Sequence, residues 1–254
     1  MASTIPPILI QIQADVSQLK AGLAQAQNAI KGVDDNVKKA SGGMSNFVGN
    51  LKKVGAAMGA TFAASQVAAF AKESIMAASN MAESLSKVQV VFGEGAAEVE
   101  AFGKSAAQNL GISNQAALEA AGTYGNLFQA FGLGQGESQK MSTSLVQLAA
   151  DMASFNNTSI DQAITALRSG LSGETEPLKR FGVALSEVRL KEEALRMGLI
   201  KTTSGTLPVA IKSQAAYSLI LKDTALAQGD YARTADGTAN TMKTLQAKME
   251  DAKV

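Results

Sequence analysis

The sequence predicts an all-α protein, on three observations. From Val16 to Met58 the apolar residues keep an unbroken spacing of 3 and 4, the period of a helix that buries one stripe against another helix. Hydrophobic residues make up 46% of the chain but aromatics only 5%, with no Trp, so a core has to come from closely packed small side chains rather than large rings. Beyond Phe92, apolar-periodic stretches are punctuated by Gly, Ser and Pro at positions that suit helix ends. The expected architecture is an N-terminal heptad helix, a compact multi-helix middle and a C-terminal coiled-coil-like helix, with at most one short N-terminal strand.

That strand is Ile8, Ile10 and Ile12, alternating after the Pro6-Pro7 breaker. Asp15 then suits an N-cap, with Gln18 as its capping-box partner. The helix that follows carries Val16, Leu19, Leu23, Ala26, Ile30, Val33 and Val37 on its seam, and these are the candidate oligomerisation residues. Lys20, Gln27, Asp34 and Ser41 flank one side, and small Gly22, Ala29 and Gly43 widen the other, which suits a bundle of more than two helices. A homotrimer is the preferred count. Gly42-Gly43 keeps the phase of the pattern; it fits either a weak spot in one long helix or the bend of a helical hairpin.

From Val54 to Ala71 eighteen residues pass without a charge, between Lys52-Lys53 and Lys72-Glu73. Length and flanks fit a marginal membrane span, and Gly55 with Gly59 forms a close-approach GxxxG pair. Thr61, Ser65 and Gln66 interrupt the run, and a helix buried against other helices is the preferred reading. The candidate membrane contacts are Val54, Gly55, Met58, Gly59, Phe62, Val67 and Phe70, which make a membrane-perturbing or pore-forming effector the alternative function, and helical character is expected to continue to about Val91.

Then come shorter helices. One spans about 96–110 and ends at Gly111 in a left-handed conformation. Ser113 caps the next, about 114–131, and Gly132, Gly134 and Gly136 make a turn. A third covers about 137–155. Thr158, with Asp161 three residues on, opens a fourth that Ser172-Gly173 breaks. Pro177 suits a helix first turn, Gly182 ends that piece, and Ser186 caps a helix that Gly198 stops. After the polar link at 202–206, long helices are expected over about 207–228 and 235–254. In the last, Met242, Leu245 and Met249 resume the heptad spacing and join the candidate oligomerisation set. The pattern is still running at Val254 without a C-cap, which reads as the front of a longer polypeptide. The expected divisions are 1–50, 51–91, 92–205 and 206–254.

Composition lowers the expectation of chemistry. The chain has no Cys and no His, which removes disulfides, thiolate nucleophiles, most zinc sites and the usual neutral-pH proton shuttle. Lys and Arg number 23 against 22 Asp and Glu, so no basic face for sequence-specific nucleic acid is implied. Met1 to Pro7 does not read as a secretory signal. Gly103-Lys104-Ser105 lacks the upstream glycine and strand of a phosphate-binding loop, since position 98 is Glu98. Gly132-x-Gly134-x-Gly136 lacks the spacing of a dinucleotide fingerprint. Asn156-Asn157-Thr158 reads as a helix-start cap. Glu174 and Glu176 could form an acid/base pair only in a folded groove, and acids favouring a helix start explain them more simply. Lys191, Glu192, Glu193 and Arg196 read as a solvated face with an i,i+4 pair between Glu192 and Arg196. No enzyme activity, catalytic residue, metal site or cofactor is expected.

Four blocks carry a family resemblance. They are LGISNQAALEAAGTYGNLFQAFGL (110–133), SLVQLAADMASFNNTSIDQAITALRSG (144–170), GLSGETEPLKRFGVAL (170–185) and QAAYSLILKDTALAQGDYARTADGTAN (214–240). In this order they resemble the front region of tape measure proteins of long-tailed bacteriophages, also called phage minor tail proteins. The resemblance implies a virion protein in the tail lumen or tip, around which the tube polymerises and whose helical length sets tail length. It implies ejection during infection to help the genome cross the host envelope. The resemblance implies tail tube and tail-tip proteins as partners, beside the further copies that the heptad seam predicts and the host membrane that the apolar run would meet. Family members are usually much longer: fully helical, this chain would reach only about 380 Å at 1.5 Å per residue.

Overall fold

The computed structural model describes residues 64–254, and these are helices joined by turns, with no strand among them. The expected strand at Ile8–Ile12 and the heptad seam from Val16 to Val37 lie outside the described residues, as does Gly42-Gly43. In chain order the helices are α1 (Ala64–Phe92), α2 (Ala96–Leu110), α3 (Asn114–Ala130), α4 (Gln135–Phe155), α5 (Ile160–Ser172), α6 (Glu176–Lys179), α7 (Glu187–Arg196), α8 (Val209–Asp223), α9 (Asp230–Arg233) and α10 (Thr238–Asp251), with a 3-10 turn at Gly93–Gly95 after α1. The chain divides into two compact units, 1–76 and 77–254. In the first, the described residues are the opening turns of α1.

The centre of the second unit is α4. From Leu148 to Ala153 every residue is buried, so this helix is enclosed on all sides. It packs against α3, α5 and α9, while α2 lies on α3 and α7 pairs with α8. The expected boundaries at 91 and 205 are not edges of this core. Val88 and Phe92 from α1, and Ala215, Ala216 and Ile220 from α8, belong to the same apolar cluster as α3 and α4. Short connections and apolar faces on both sides of each boundary draw the flanking helices in.

Small residues set how the helices meet. A side chain added at Gly125 would lie 2.4 Å from the Phe92 ring, and one at Gly103 would lie 2.8 Å from a Leu118 methyl. These glycines are notches that receive a large side chain from the neighbouring helix. That is how a chain poor in aromatics reaches interior packing density. Above the α3 notch, the Lys87 ammonium donates to Thr123 Oγ1 at 2.8 Å. The Tyr124 hydroxyl, fully buried, donates to the Ile164 carbonyl at 2.9 Å and ties α3 to α5. The Phe128 and Tyr217 rings meet edge-on, 6.5 Å apart and at 89°.

Several helix ends fall where local chemistry puts them. Gly111 is left-handed at φ 67° and closes α2; Ser113 and Ser186 accept from the backbone N–H three residues on. The Asn156-Asn157-Thr158 segment differs: it ends α4 rather than starting α5. Asn157 takes the left-handed conformation at φ 48°, Thr158 N–H returns to the Ala153 carbonyl, and Asn157 N–H to that of Ser154. Because Thr158 is spent closing one helix, the N-cap of the next slips one residue, to Ser159, which accepts from Gln162 N–H. The helix expected over 207–228 stops at Asp223, where buried Thr224 turns its hydroxyl back onto the Ile220 carbonyl. The helix expected over 235–254 is α10, and a further short helix, α9, precedes it. The Asp151 carboxylate of α4, 3% exposed, accepts from the backbone N–H of Gly229 at 2.9 Å and of Tyr231 at 3.1 Å, and so fixes α9 separately.

Gly170 and Leu178 give a direct test of notch packing. A Cβ on Gly170 would stand 2.0 Å from Leu178 Cδ1, with Leu178 fully buried. Gly170→Ala should lower unfolding free energy in urea by about 2 kcal/mol, and Leu178→Ala by about 3 kcal/mol. The double variant should lose clearly less than the sum, because truncating Leu178 opens the space the alanine needs.

Candidate functional site

The C-terminal helix α10 has two opposed faces. Asn240, Thr244, Ala247 and Asp251, at steps of 4, 3 and 4, touch the rest of the domain. Met242 and Met249 are 52% and 53% exposed, and Leu245 is half-buried. At 100° per residue the two sets point roughly 160° apart. The helix therefore docks through its small and polar back and turns the Met242–Leu245–Met249 stripe away from the domain.

The docked face is held by hydrogen bonds more than by apolar area. The Tyr231 hydroxyl shares a 2.7 Å hydrogen bond with Thr244 Oγ1. Asn240 Nδ2 donates to Ser154 Oγ at 2.9 Å and to Thr234 Oγ1 at 2.8 Å. Asp251 Oδ1 accepts the Asn114 N–H at 2.7 Å, so the end of α10 caps the start of α3. Lys248 donates to Gln108 on α2. Gly111 lies beneath this crossing: a Cβ there would meet the Tyr231 hydroxyl at 2.3 Å and Lys243 Cβ at 3.0 Å. Burial pushes the Asp251 carboxyl up and the Lys243 ammonium down from their ordinary values.

A second polar joint links α7 to α8. Glu193, 4% exposed, accepts from Arg196 at 2.7 Å, from Lys222 at 2.6 Å and from the Ser218 hydroxyl. The reading of 191–196 as a solvated face is thus corrected at Glu193, and the pair to Arg196 comes from Glu193 rather than Glu192. Glu193 stands three residues from buried Leu190 and next to buried Ala194, on the inward side of α7. That placement on the apolar face was the signal available in the sequence. Beside it Arg189 grips Asp223 with both terminal nitrogens at 2.7 Å, and Asp223 Oδ2 also takes the Ala184 N–H at 3.2 Å. The Arg196 hydrogen bonds hold the Glu193 carboxyl well below the usual range, and the Arg189 fork lowers that of Asp223. On the outer side of α7, Val188 and Leu195 are 65% and 42% exposed.

The remaining sequence candidates separate. Val54, Gly55, Met58, Gly59 and Phe62 lie outside the described residues; Val67 and Phe70 fall on α1. Among the described residues no helix is long and apolar enough to cross a membrane. Glu174 and Glu176 are both exposed, and Glu176 pairs with Lys179 at 2.6 Å. Gly103-Lys104-Ser105 is interior to α2, with the Ser105 hydroxyl donating to the Phe102 carbonyl. No group of three Asp or Glu side chains that could hold a metal occurs among the described residues. The chain matches no family model, no curated protein and no solved structure.

The two lowered carboxyls set an acid limit. A carboxyl whose folded pKa lies below its unfolded value contributes stability that is present at neutral pH and lost as pH falls toward the folded value. The thermal midpoint should therefore drop between about pH 5 and pH 3, where the unfolded carboxylates protonate. Glu193→Gln should lower the midpoint at pH 7 and flatten the acid drop, as followed by circular dichroism melts across that range.

Proposed function

We propose that this chain is the front segment of a long-tailed phage tape measure protein, a structural virion component that sets tail length and is ejected to help genome passage. The observation that carries a role in assembly is the Met242–Leu245–Met249 stripe. It has the same 3 and 4 spacing as the Val16–Val37 seam and is left outside the domain by a helix that docks through its other side. An exposed apolar stripe on a helix is a surface for another helix. The four resembling blocks supply the family: they run in the family's order from the end of α2 to α10. In this reading the partners are further copies of the chain, in threes, with tail tube and tip proteins around them, and the site is the tail lumen, then the host envelope.

Two measurements test it. In sedimentation equilibrium the 254-residue chain should be a trimer. Leu23→Glu with Ile30→Glu should make it monomeric, and Met242→Glu with Met249→Glu should weaken the association roughly tenfold or more, because each places an unpaired carboxylate in an apolar seam. A monomeric unmutated chain counts against the assembly reading. In a phage carrying this reading frame, in-frame helical deletions should shorten the tail by about 1.5 Å per residue removed, in electron micrographs. Tails of unchanged length would leave the ruler role without support.

A further inference from the structure

We propose that α10 is a detachable strap, leaving the face made by α2, the start of α3 and Tyr231 as one unit while α3, α4 and α5 remain folded. The argument is one of contrast. Helix α4 is buried at every residue from Leu148 to Ala153, whereas α10 buries only Asn240 and Ala247. Most of what holds α10 is a set of hydrogen bonds that water can replace once the helix lifts: Thr244 to Tyr231, Asn240 to Ser154 and Thr234, Asp251 to the Asn114 N–H. Replaceable polar contacts contribute little net stability each.

Docking also carries costs that release relieves. The Asp251 carboxylate and the Lys243 ammonium are both desolvated at the contact, each in the direction that disfavours its charged form. A helix with little buried apolar area and two desolvated charges lies at the low end of a domain's range of local stabilities. What release uncovers is specific: the Gly111 corner, the Asn114 N-terminus of α3 and the Tyr231 hydroxyl. The inference does not depend on the phage reading, since it concerns how one helix is held.

The absence of cysteine from the chain makes the test clean. Ala247→Cys places a thiol on the inner face of α10, and Ala149→Cys places one inside α4; both sites are buried in the parent. Under native conditions the Ala247→Cys variant should react with a thiol reagent roughly a hundredfold faster than the Ala149→Cys variant, because only the first is exposed by a sub-global opening. Adding Thr244→Val, which removes the bond to Tyr231, should speed the first several-fold and leave the second unchanged. Hydrogen exchange on the unmodified chain provides the check that needs no substitution: amides of 242–251 should exchange well ahead of those of 148–153. Equal labelling rates at the two cysteines, or α10 amides that exchange only with those of α4, would overturn the strap.

Discussion

Close approach between helices is the constraint on which the rest of this domain depends. With few aromatic residues and no tryptophan, interior volume has to be filled by bringing backbones together, and each near contact needs a residue without a side chain at the crossing. Gly125 receives Phe92, Gly103 receives Leu118 and Gly170 receives Leu178. A methyl at any of these sites would push a helix outward and open gaps along its whole length, because packed interiors do not deform gradually. The alanines along α4 act in the same direction. They permit neighbours on every side, and this helix stands at the centre.

Polar anchoring takes over where apolar area runs short. The C-terminal third contains smaller buried faces than the α3–α4–α5 centre, and its pieces are positioned by three carboxylates. Asp151 holds the start of α9, Glu193 joins α7 to α8, and Asp251 ties the end of α10 to α3. Their physical situations differ. Glu193 is surrounded by cations and a hydroxyl, so its charge is favoured where it sits. Asp251 has a backbone N–H as its partner and pays a desolvation cost that the contact does not offset. The same chemical group thus makes one joint firm and another weak. The difference lies in whether opposite charges accompany the carboxylate into the fold.

The contrast between local and distant partners also explains what the sequence made legible. Gly111, Ser113, Ser186 and Gly198 mark helix ends through hydrogen bonds that reach only a few residues, and those ends lie where the sequence places them. Thr158 misled by one position because two motifs compete for it: its N–H closes α4, so Ser159 caps α5. Glu193 looked like a surface charge because its partners Ser218 and Lys222 lie in another helix beyond a polar link. Asp251 and Asn114 are farther apart still, and no spacing rule connects an acid near residue 250 to a helix start near residue 114. The short helix α9, between the two long helices expected there, was hidden for the same reason, since Asp151 fixes it from the middle of the chain.

Helix α10 brings these threads together. An amphipathic helix with a single apolar stripe normally turns that stripe inward, since burying it is what stabilises the helix. Here Asn240, Thr244, Ala247 and Asp251 take the inward positions, and Met242, Leu245 and Met249 are turned away. The geometry of the host surface requires this: the crossing at Gly111 leaves room for a Tyr231 hydroxyl and a Lys243 methylene, and the polar groups already there need hydrogen-bonding partners. Methionine is an adaptable side chain that packs against surfaces of varied shape. A stripe led by two methionines, carried on a helix whose grip on its own domain is mostly polar, is therefore suited to exchange one set of neighbours for another. Under the proposed assembly the weak inner contact and the apolar outer face are complementary: the first lets the helix move, and the second gives it a reason to.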